Sequence, residues 1–498
     1  MMVVSRFSLV AVLMGTVVFS AYGQDYTDAL RYSYLIPQGT ARSMGYGNAS
    51  GSLGTDFSAV SVNPAGLGLY KSSELMFTPN VQVGNVNGQY LGTSMTDNNT
   101  HFSFSNAGVV FTSTAKGKRA EQKNWKSVSF AIGVNKLADY NRDYQYNGNN
   151  GGPNGSSQSE IYAANFRSFP SDTSIDGSAA SLGWYSELLD DTGATRVPWK
   201  GGINQSRMVQ ERGSTNEIDF ALGGNYKDKL MLGITLGIPI INHTITSDYT
   251  ETALNPDPST FTSYNLHETY TTNGNGINGK FGIIYKFTDY FRVGGAIHTP
   301  TYYSMHDEST ITLINNTPSL ASGLYAPTNT FDYHLTTPWR GILSATGFIG
   351  RYAFITADYE YVDYSTARFN FGNDPNYGNL QEVQDNANQQ IQQNLKAASN
   401  FRIGAEVRVT PIFLLRAGVG YYGNPYKTSG VDGSSLVLSG GFGFRFDRFF
   451  IDASYMHTQY NIAEQPYATP YTNVTVPTAT LGNSVSNAAI TFGYRFRS

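Results

Sequence analysis

The stretch AAITFGYRF, residues 488–496, decides the fold of this chain. Ile490, Phe492, Tyr494 and Phe496 recur at every second position, and a threonine, a glycine and an arginine separate them. Successive side chains of a β-strand point to opposite faces, so this period places the four apolar side chains on one face and the others on the opposite face. The stretch therefore predicts a strand with one apolar and one polar face.

The same alternation recurs upstream through much of the chain. In 401–409, apolar residues alternate with Arg402, a glycine, Glu406 and a second arginine, and comparable patterns fill 355–361 and 435–446. In a soluble β-sandwich the apolar face would form a core, whereas in a transmembrane β-barrel it would face lipid and the charges would line the lumen. The alternation alone leaves both folds open.

The connections between the predicted strands distinguish the two folds. Several are tight, such as 226–229, 350–351 and 447–448, and they alternate along the chain with long polar segments. Alternating short and long connections are typical of periplasmic turns and extracellular loops. We therefore predict an all-β fold, a 14-stranded antiparallel transmembrane β-barrel over 73–498, in a bacterial outer membrane and with both termini in the periplasm. The long extracellular loops are predicted at 137–214, 241–269, 304–330, 369–396 and 459–485.

The composition agrees with a membrane barrel. Charged residues make up 14% of the chain, against about 25% in ordinary soluble domains. Beyond the N-terminus no segment approaches the roughly 18 consecutive apolar residues of a membrane-spanning helix. The chain contains no cysteine, which excludes disulfides, thiolate metal sites and cysteine nucleophiles. The net charge of −4 does not favour a nucleic-acid partner.

The N-terminus has the features of a secretory signal peptide. Arg6 precedes an apolar run over 7–19, and small residues follow at Ala21 and Gly23. A run of this length is too short to cross a bilayer as a helix. We predict a signal peptide over 1–23, with cleavage after Gly23.

The next segment, 24–72, does not have the alternation of a barrel strand. It contains a glycine-rich piece at 39–47, which permits tight turns, and a predicted short helix over 55–61 that Asn63 and Pro64 end. The segment is too small and too rich in glycine for an independent domain. We expect it to lie inside the barrel as a plug, here called the hatch; an ordered periplasmic extension is the alternative.

Several motifs resemble a known family. The run ARSMGYG over 41–47, Asp56 and the motif NPAGL over 63–67 resemble the start of the FadL/TodX family of outer-membrane transporters for hydrophobic compounds. Further segments are similar to Bacteroidetes members of that family, and they cover most of the chain after the signal peptide: 292–300, 337–340, 357–364, 402–406 and 421–426.

The resemblance implies both a fold and a function. It implies a barrel plugged by a hatch whose motif is Asn63, Pro64 and Ala65. It also implies uptake of hydrophobic compounds such as long-chain fatty acids or aromatic hydrocarbons. Extracellular loops would capture the compound, the hatch would move, and the compound would leave sideways through an opening at a kinked strand. The long loop at 137–214 is distinctive and leaves the substrate open.

Two prolines are candidates for the strand kink. Proline removes a hydrogen bond from a β-ladder and is confined to edges and bulges. Pro79 and Pro239 both lie inside strand patterns, and a closed barrel has no edge, so each should mark a local break. Alternatively, each lies just beyond the membrane, an interpretation that fits Pro239 better.

Charged residues at polar positions of the C-terminal strands are predicted to line the lumen. A cation among them could orient the carboxylate of a fatty acid. Alternatively, the charges pair with one another across adjacent strands. The lumen-lining candidates are Arg402, Glu406, Arg408, Arg416, Arg445, Asp452 and Arg495.

The sequence predicts no catalytic site, cofactor or metal site. No Gly-x-Ser-x-Gly elbow appears in a strand-to-helix context, so we predict that the chain is not an enzyme. The resemblance to the FadL/TodX family also implies a haem-related receptor as an alternative, in which a histidine would be the axial ligand. The histidines are scattered without metal-ligand spacing: His101, His243, His267, His298, His306, His334 and His457.

The expected partners are a hydrophobic small molecule or detergent and outer-membrane lipid. Two further alternatives stay open for the function. One is a surface interaction or secretion-associated barrel of the same family, whose protein partners would bind the loops at 137–214 and 369–396. The other is a diffusion porin, although a barrel filled by a hatch should conduct ions poorly.

Overall fold

The computed structural model describes residues 24–496 apart from 116–121, 152–154, 169–178, 321–323, 326–327, 373–379, 428–429, 431 and 468–475. The predicted signal peptide lies outside the described residues. The strands are β1 (Glu74–Tyr90), β2 (Thr93–Thr114), β3 (Trp125–Asp139), β4 (Arg142–Asn150), β5 (Ile203–Tyr226), β6 (Leu230–Asp257), β7 (Phe261–Thr288), β8 (Phe291–His298), β9 (Tyr302–Asn315), β10 (Leu324–Tyr325), β11 (Thr328–Thr336), β12 (Arg340–Ile349), β13 (Ala353–Asp363), β14 (Arg368–Asn370), β15 (Ala397–Arg408), β16 (Phe413–Tyr422), β17 (Ser435–Arg445), β18 (Phe449–Glu464) and β19 (Ala479–Arg495).

The helices are short and lie outside this sheet. The α-helices are α1 (Tyr26–Arg31), α2 (Ala41–Gly45), α3 (Ser159–Ser168), α4 (Ala179–Tyr185) and α5 (Leu380–Asn394). The 3₁₀-helices are Phe57–Ser61, Pro64–Leu69, Trp199–Gly201 and Tyr364–Thr366. No helix among the described residues is long and apolar enough to cross a membrane.

The strands form one closed antiparallel barrel. The last strand, β19, pairs with the first, so that Leu75 lies opposite Tyr494. Four crossings of the membrane are each made by two strand segments with a break between them. These pairs are β3 and β4, β8 and β9, β11 and β12, and β13 and β14. The barrel therefore has 14 crossings, which confirms the predicted strand number.

An apolar band encircles the outside of the barrel. In β6 the outward side chains Leu232, Ile234, Leu236 and Ile240 are between 36% and 45% exposed, and the next outward residue is Asn242. Lipid-facing bands about 25 Å tall with this alternation are characteristic of outer-membrane barrels. The apolar exterior and the closed sheet place the chain in a bacterial outer membrane.

Several strands continue well beyond the apolar band. β6 and β7 have 28 residues each, whereas about 9–11 residues suffice to cross the membrane. The predicted loop 241–269 is therefore mostly strand, and β9 occupies 304–315 of the predicted loop 304–330. These extensions are not predictable from alternation, because the outward side chains become mostly polar above the lipid although the backbone ladder continues.

The N-terminal segment fills the lumen. It contains α1, α2 and two 3₁₀-helices, and Met44, Tyr46, Phe57 and Leu67 are fully buried there. The side chain of Asp56 accepts a hydrogen bond from the Ser58 backbone N–H at 2.9 Å and caps the first 3₁₀-helix. The segment thus lies inside the barrel as a hatch and not beneath it as an extension.

Two groups of helices cover the extracellular end. α3 and α4 belong to the connection between β4 and β5, and Tyr162 and Leu182 of these helices pack with Tyr249, Phe261 and Tyr264 of the extended strands. α5 belongs to a separate apolar cluster, in which it packs next to α1 and the wall. α5 lies within the predicted loop 369–396.

Candidate functional site

The side chain of Asn63 joins the hatch to the barrel wall. Its amide nitrogen donates to the backbone carbonyls of Ile283 in β7 (3.1 Å) and Gly295 in β8 (3.2 Å). The same nitrogen lies 2.5 Å from the carbonyl oxygen of Gly51, and the amide oxygen accepts from the Ala65 N–H at 3.1 Å. The predicted hatch motif therefore caps a 3₁₀-helix and holds two wall strands with one side chain.

The wall is built to receive this motif closely. Gly282 of β7 lies so near Asn63 that a Cβ at this glycine would overlap with the Asn63 Oδ1 atom. Gly233 of β6 lies equally close to the backbone of Pro64. Glycine at these two positions permits an approach that any side chain would prevent. The contact between hatch and wall is thus specific in shape as well as in hydrogen bonding.

Most of the predicted lumen residues form one buried ion-pair network. Arg416 lies 2.7 Å from Glu406 and 2.7 Å from Asp452. Arg445 also pairs with Asp452, at 2.9 Å. From the hatch, the Nε atom of Arg42 donates to Glu406 at 3.2 Å. The cross-strand pairing considered in the sequence analysis occurs here, and it includes a hatch residue that the sequence analysis did not identify.

A second network surrounds Arg402. Its guanidinium lies 3.1 Å from Glu360 and 3.7 Å from Asp358. Arg340 pairs with the same Glu360 at 3.0 Å and also donates to the backbone carbonyl of Ser33 in the hatch. Both networks therefore connect barrel strands to the plug.

Two of the predicted lumen residues lie at the periplasmic margin. Arg495 pairs weakly with Glu74, at 3.9 Å, and its side chain is 39% exposed. Arg408 is exposed at the end of β15. The structure does not bring these two arginines into the buried networks.

A third buried cluster was missed by the sequence analysis. The ammonium of Lys280 lies 2.5 Å from Glu217 and 3.4 Å from Asp219. The Ser61 hydroxyl of the hatch donates to Asp219 at 2.9 Å. The alternation rule that selected Arg402 would also have selected these three charged residues, because all of them occupy inward positions of regular strands.

The wall between β2 and β3 is incomplete. The ladder that joins these strands runs from Thr114 opposite Ser127 to Asn106 opposite Asn135 and ends there. Beyond it, β2 pairs only with β1, while β3 bends inward and then pairs with β5 alone. Within the described residues, one edge of β2 over 93–105 therefore has no partner strand.

A hatch residue occupies the point where the two strands part. The backbone N–H of Gln38 donates to the carbonyl of Lys136 at 2.8 Å and forms an isolated bridge with it. The side-chain oxygen of Gln38 accepts from Asn80 (3.3 Å) and Ser105 (3.5 Å). The hatch thus replaces β2 as the partner of β3 at the bend.

The two predicted kink prolines lie elsewhere. Pro79 of β1 coincides with a register shift in the ladder with β2. Pro239 lies inside β6, opposite Glu217. Two other prolines, Pro300 and Pro338, occupy the breaks between β8 and β9 and between β11 and β12. The bend of β3 contains no proline.

The space left beside the hatch is small and is lined by both polar and apolar side chains. A cavity of about 40 Å³ lies between the hatch and the wall, which is room for very few water molecules. Tyr32 and Val62 of the hatch line it together with His298, Lys280 and Arg402 of the wall. A fatty acid or an aromatic ring does not fit there unless the hatch moves.

The first helix of the hatch carries a buried acid. The carboxyl group of Asp28 in α1 accepts a hydrogen bond from the guanidinium of Arg31, one turn later. Burial raises the pKa of the Asp28 carboxyl to about 8, although Arg31 opposes this effect. Next to it, the amide of Gln24 reaches the Asp307 carboxylate of β9.

No metal centre is evident in the part of the chain that the structure describes. No group of three or more histidine, aspartate or glutamate side chains there is arranged to hold a metal ion. The Nε2 atom of His298 donates to the backbone carbonyl of Val62 at 2.9 Å, and His243 contacts the Tyr32 hydroxyl at 3.1 Å. These two histidines contact the hatch.

Comparisons with known proteins identify the fold. No protein-family profile matches the chain, and no curated protein matches its sequence. Among solved structures, a FadL homologue from Pseudomonas aeruginosa matches with a TM-score of 0.57 and 11% identity, over 93% of this chain and 100% of its own. The toluene transporter TodX of P. putida matches with a TM-score of 0.54 and 12% identity, over 91% of this chain and 99% of its own.

A third structure has the same fold. The toluene transporter TbuX of Ralstonia pickettii matches with a TM-score of 0.51 and 16% identity, over 91% of this chain and 99% of its own. All three matches extend over nearly the full length of both chains. The chain therefore has the fold of the FadL homologue and the toluene transporters, as the resemblance to the FadL/TodX family predicts.

Proposed function

We propose that this protein is an uptake channel for hydrophobic compounds such as long-chain fatty acids or aromatic hydrocarbons. The observation that carries the proposal is the missing ladder between β2 and β3 at the depth of the membrane. Backbone groups without partners are costly in hydrocarbon and are tolerated only where they line a cavity or are covered by protein. An interrupted wall in a barrel that otherwise closes fully therefore supports a lateral passage.

The position of the gap suits a hydrophobic cargo. Phe102 and Phe104 lie on the part of β2 that pairs with β1 but not with β3, and they are 75% and 45% exposed toward the lipid. A compound that leaves the lumen here enters hydrocarbon without crossing water, which is favourable for apolar surface. A hydrophilic solute would gain nothing from a sideways exit.

Entry requires the hatch to move. Tyr32 and Leu30 of the hatch pack in one apolar cluster with Phe331, Tyr333 and Phe369 of the extracellular wall. Displacement of α1 would expose these aromatic side chains to a compound captured by the extracellular loops. The charged groups around Arg402 would then be available to orient a carboxylate, if the compound carries one.

A direct test compares uptake with and without the gene. Cells that lack this protein should lose uptake of a radiolabelled long-chain fatty acid or of toluene, and the intact gene should restore it. Lipid or detergent should also co-purify with the barrel and be detected by mass spectrometry. Unchanged uptake of both compounds, together with a purified barrel free of apolar ligand, would refute the proposal.

A second function is favoured by the extracellular half. β5, β6, β7 and β9 stand above the apolar band, and Met208 and Leu254 on their outer surface are 48% and 46% exposed although they lie above the lipid. These features support a surface for protein partners. Removal of α3 and α4 should then release co-purifying proteins, whereas an uptake channel without partners would keep the same composition.

A further inference from the structure

Side chains bridge the gap that the missing ladder leaves. Asn99, His101 and Ser103 occupy alternate positions of β2 and share its inward face. Each of them contacts a polar side chain on the bent strand, by which we mean β3 together with its continuation β4. We call these three contacts the seam: Asn99 Nδ2 donates to Asp143 Oδ2 (3.0 Å), His101 Nε2 lies 3.2 Å from Asp139 Oδ2, and Lys136 Nζ donates to Ser103 Oγ (2.8 Å).

Asp139 is the centre of the seam. Besides His101, its carboxylate accepts hydrogen bonds from Lys136 Nζ at 2.7 Å and from Gln82 Nε2 at 3.0 Å. It also accepts from the backbone N–H of Asn141, at 3.1 Å, directly after the bend. The Asp139 side chain is only 4% exposed. One carboxylate therefore holds β1, β2 and the bent strand together.

The seam differs in kind from the rest of the wall. Among the described residues, the other crossings within the apolar band are joined to their neighbours by backbone ladders, and even β2 and β3 are joined in this way below Asn106. Opening a ladder leaves unpaired backbone groups in the membrane. The seam can part by side-chain rotation alone, because its three contacts do not involve the β2 backbone.

We propose that the seam is the gate of the lateral passage and that Asp139 is the residue that holds it closed. This inference rests on the proposed uptake function. In the resting state the seam closes the path from the lumen to the lipid, next to the hatch residue Gln38. Movement of the hatch removes the Gln38 bridge to Lys136. The edge of β2 over 93–105 is then joined to β3 and β4 by the seam and by the hydrogen bond from Thr93 Oγ1 to the Asn147 carbonyl.

The first test locks the seam chemically. The chain has no native cysteine, so the double variant N99C/D143C can be joined selectively by a short thiol-specific cross-linker. The control is T112C/S129C, a pair whose hydroxyls lie 2.9 Å apart where the β2–β3 ladder is intact. Cross-linking should reduce fatty-acid or toluene uptake to the level of the deletion strain in the first variant and leave it unchanged in the control.

The possible outcomes distinguish a failure of the proposed gate from a failure of the proposed uptake function. Full uptake by the cross-linked N99C/D143C protein would overturn the gate while uptake itself stands. Absence of uptake in the parent protein would instead overturn the proposed function. Loss of uptake in both cross-linked proteins would also refute the gate, because locking an intact ladder should have no specific effect.

The second test weakens the seam without a cross-linker. D139N keeps the shape of the side chain and removes its charge, so its attraction to Lys136 and His101 falls. We expect a several-fold rise in the initial uptake rate, measured in cells with equal amounts of heat-modifiable, folded barrel. A folded D139N protein with the uptake rate of the parent would show that Asp139 does not hold the passage closed.

Discussion

Asn63 of the hatch donates a hydrogen bond to the backbone carbonyl of Ile283 in the barrel wall, at 3.1 Å. Because its amide nitrogen also reaches Gly295 and its amide oxygen caps the helix at Ala65, one side chain links three parts of the molecule. The strand ladder holds these backbone carbonyls in fixed positions, so they remain available as hydrogen-bond acceptors. The position of the hatch therefore depends on a donor at residue 63.

The variant N63D should displace the hatch more than N63A does. Aspartate keeps the capping oxygen but turns a carboxylate toward carbonyl oxygens, which repels, whereas alanine only removes a cap worth about 1 kcal/mol and the wall contacts. Ion conductance of the purified protein in planar bilayers measures this, since a displaced hatch opens a water path. We expect conductance to rise from parent to N63A to N63D.

The matched control for that series is N242D, an exposed asparagine on the outside of β6. It carries the same chemical change without contact to the hatch and should conduct like the parent. Equal conductance of N63D and N242D would contradict the role assigned to the Asn63 amide.

Substitution of Gly282 should push the hatch off the wall. In G282A the new methyl group would overlap with the Asn63 side chain, whereas in G347A no atom lies within 4 Å of the new methyl group. The substitution S61C is introduced into each protein as a single cysteine, which is buried when the hatch is docked. The rate at which a maleimide labels this cysteine measures displacement of the hatch. Labelling should be much faster with G282A than with G347A, and equal rates would rule out tight docking.

The fold could be predicted from the sequence because contact with lipid requires an apolar residue at every second position of a membrane-spanning strand. Outward positions within the membrane must be apolar, so residues such as Phe492 and Ile403 mark strand and face together. Above the lipid this constraint ends. Asn242 and the outward residues that follow it in β6 as far as Thr252 are polar, and the strand extends to Asp257 with no outward hydrophobic period to reveal it.

The site could be predicted only in part. Inward charges such as Arg416 and Asp452 stand out against apolar neighbours, and the structure joins them. The bend of β3 could not be foreseen from Pro79 or Pro239, because it contains no proline. It coincides with tertiary contacts, above all the bridge from Gln38, which come from a segment almost a hundred residues away.

Removal of the charge of Arg416 should destabilise the barrel strongly. In R416M the carboxylates Glu406 and Asp452 lose their shared partner while buried, a change that typically costs about 3–5 kcal/mol. R408M is the matched control, since Arg408 is exposed at the end of β15 and should change stability very little. Urea unfolding in lipid vesicles measures both. Equal midpoints for the two variants would mean that the network contributes nothing to the folded state.

Docking of α1 should weaken as the pH rises. Burial raises the pKa of Asp28 from its ordinary 3.8 to about 8 when the helix is docked. Between about pH 4 and pH 8 the docked carboxyl is protonated while the undocked one is ionised, so each increase in pH favours release. Stability from this group is complete below that window and is lost as the pH passes through it.

Hydrogen exchange of the α1 amides, corrected for the intrinsic pH dependence of exchange, measures this effect. Protection should fall between about pH 5 and pH 8 in the parent, with α2 in the same molecule as the internal reference. D28N cannot ionise and should keep its protection constant over that range. If D28N loses protection as steeply as the parent does, a group other than Asp28 controls the release of the helix.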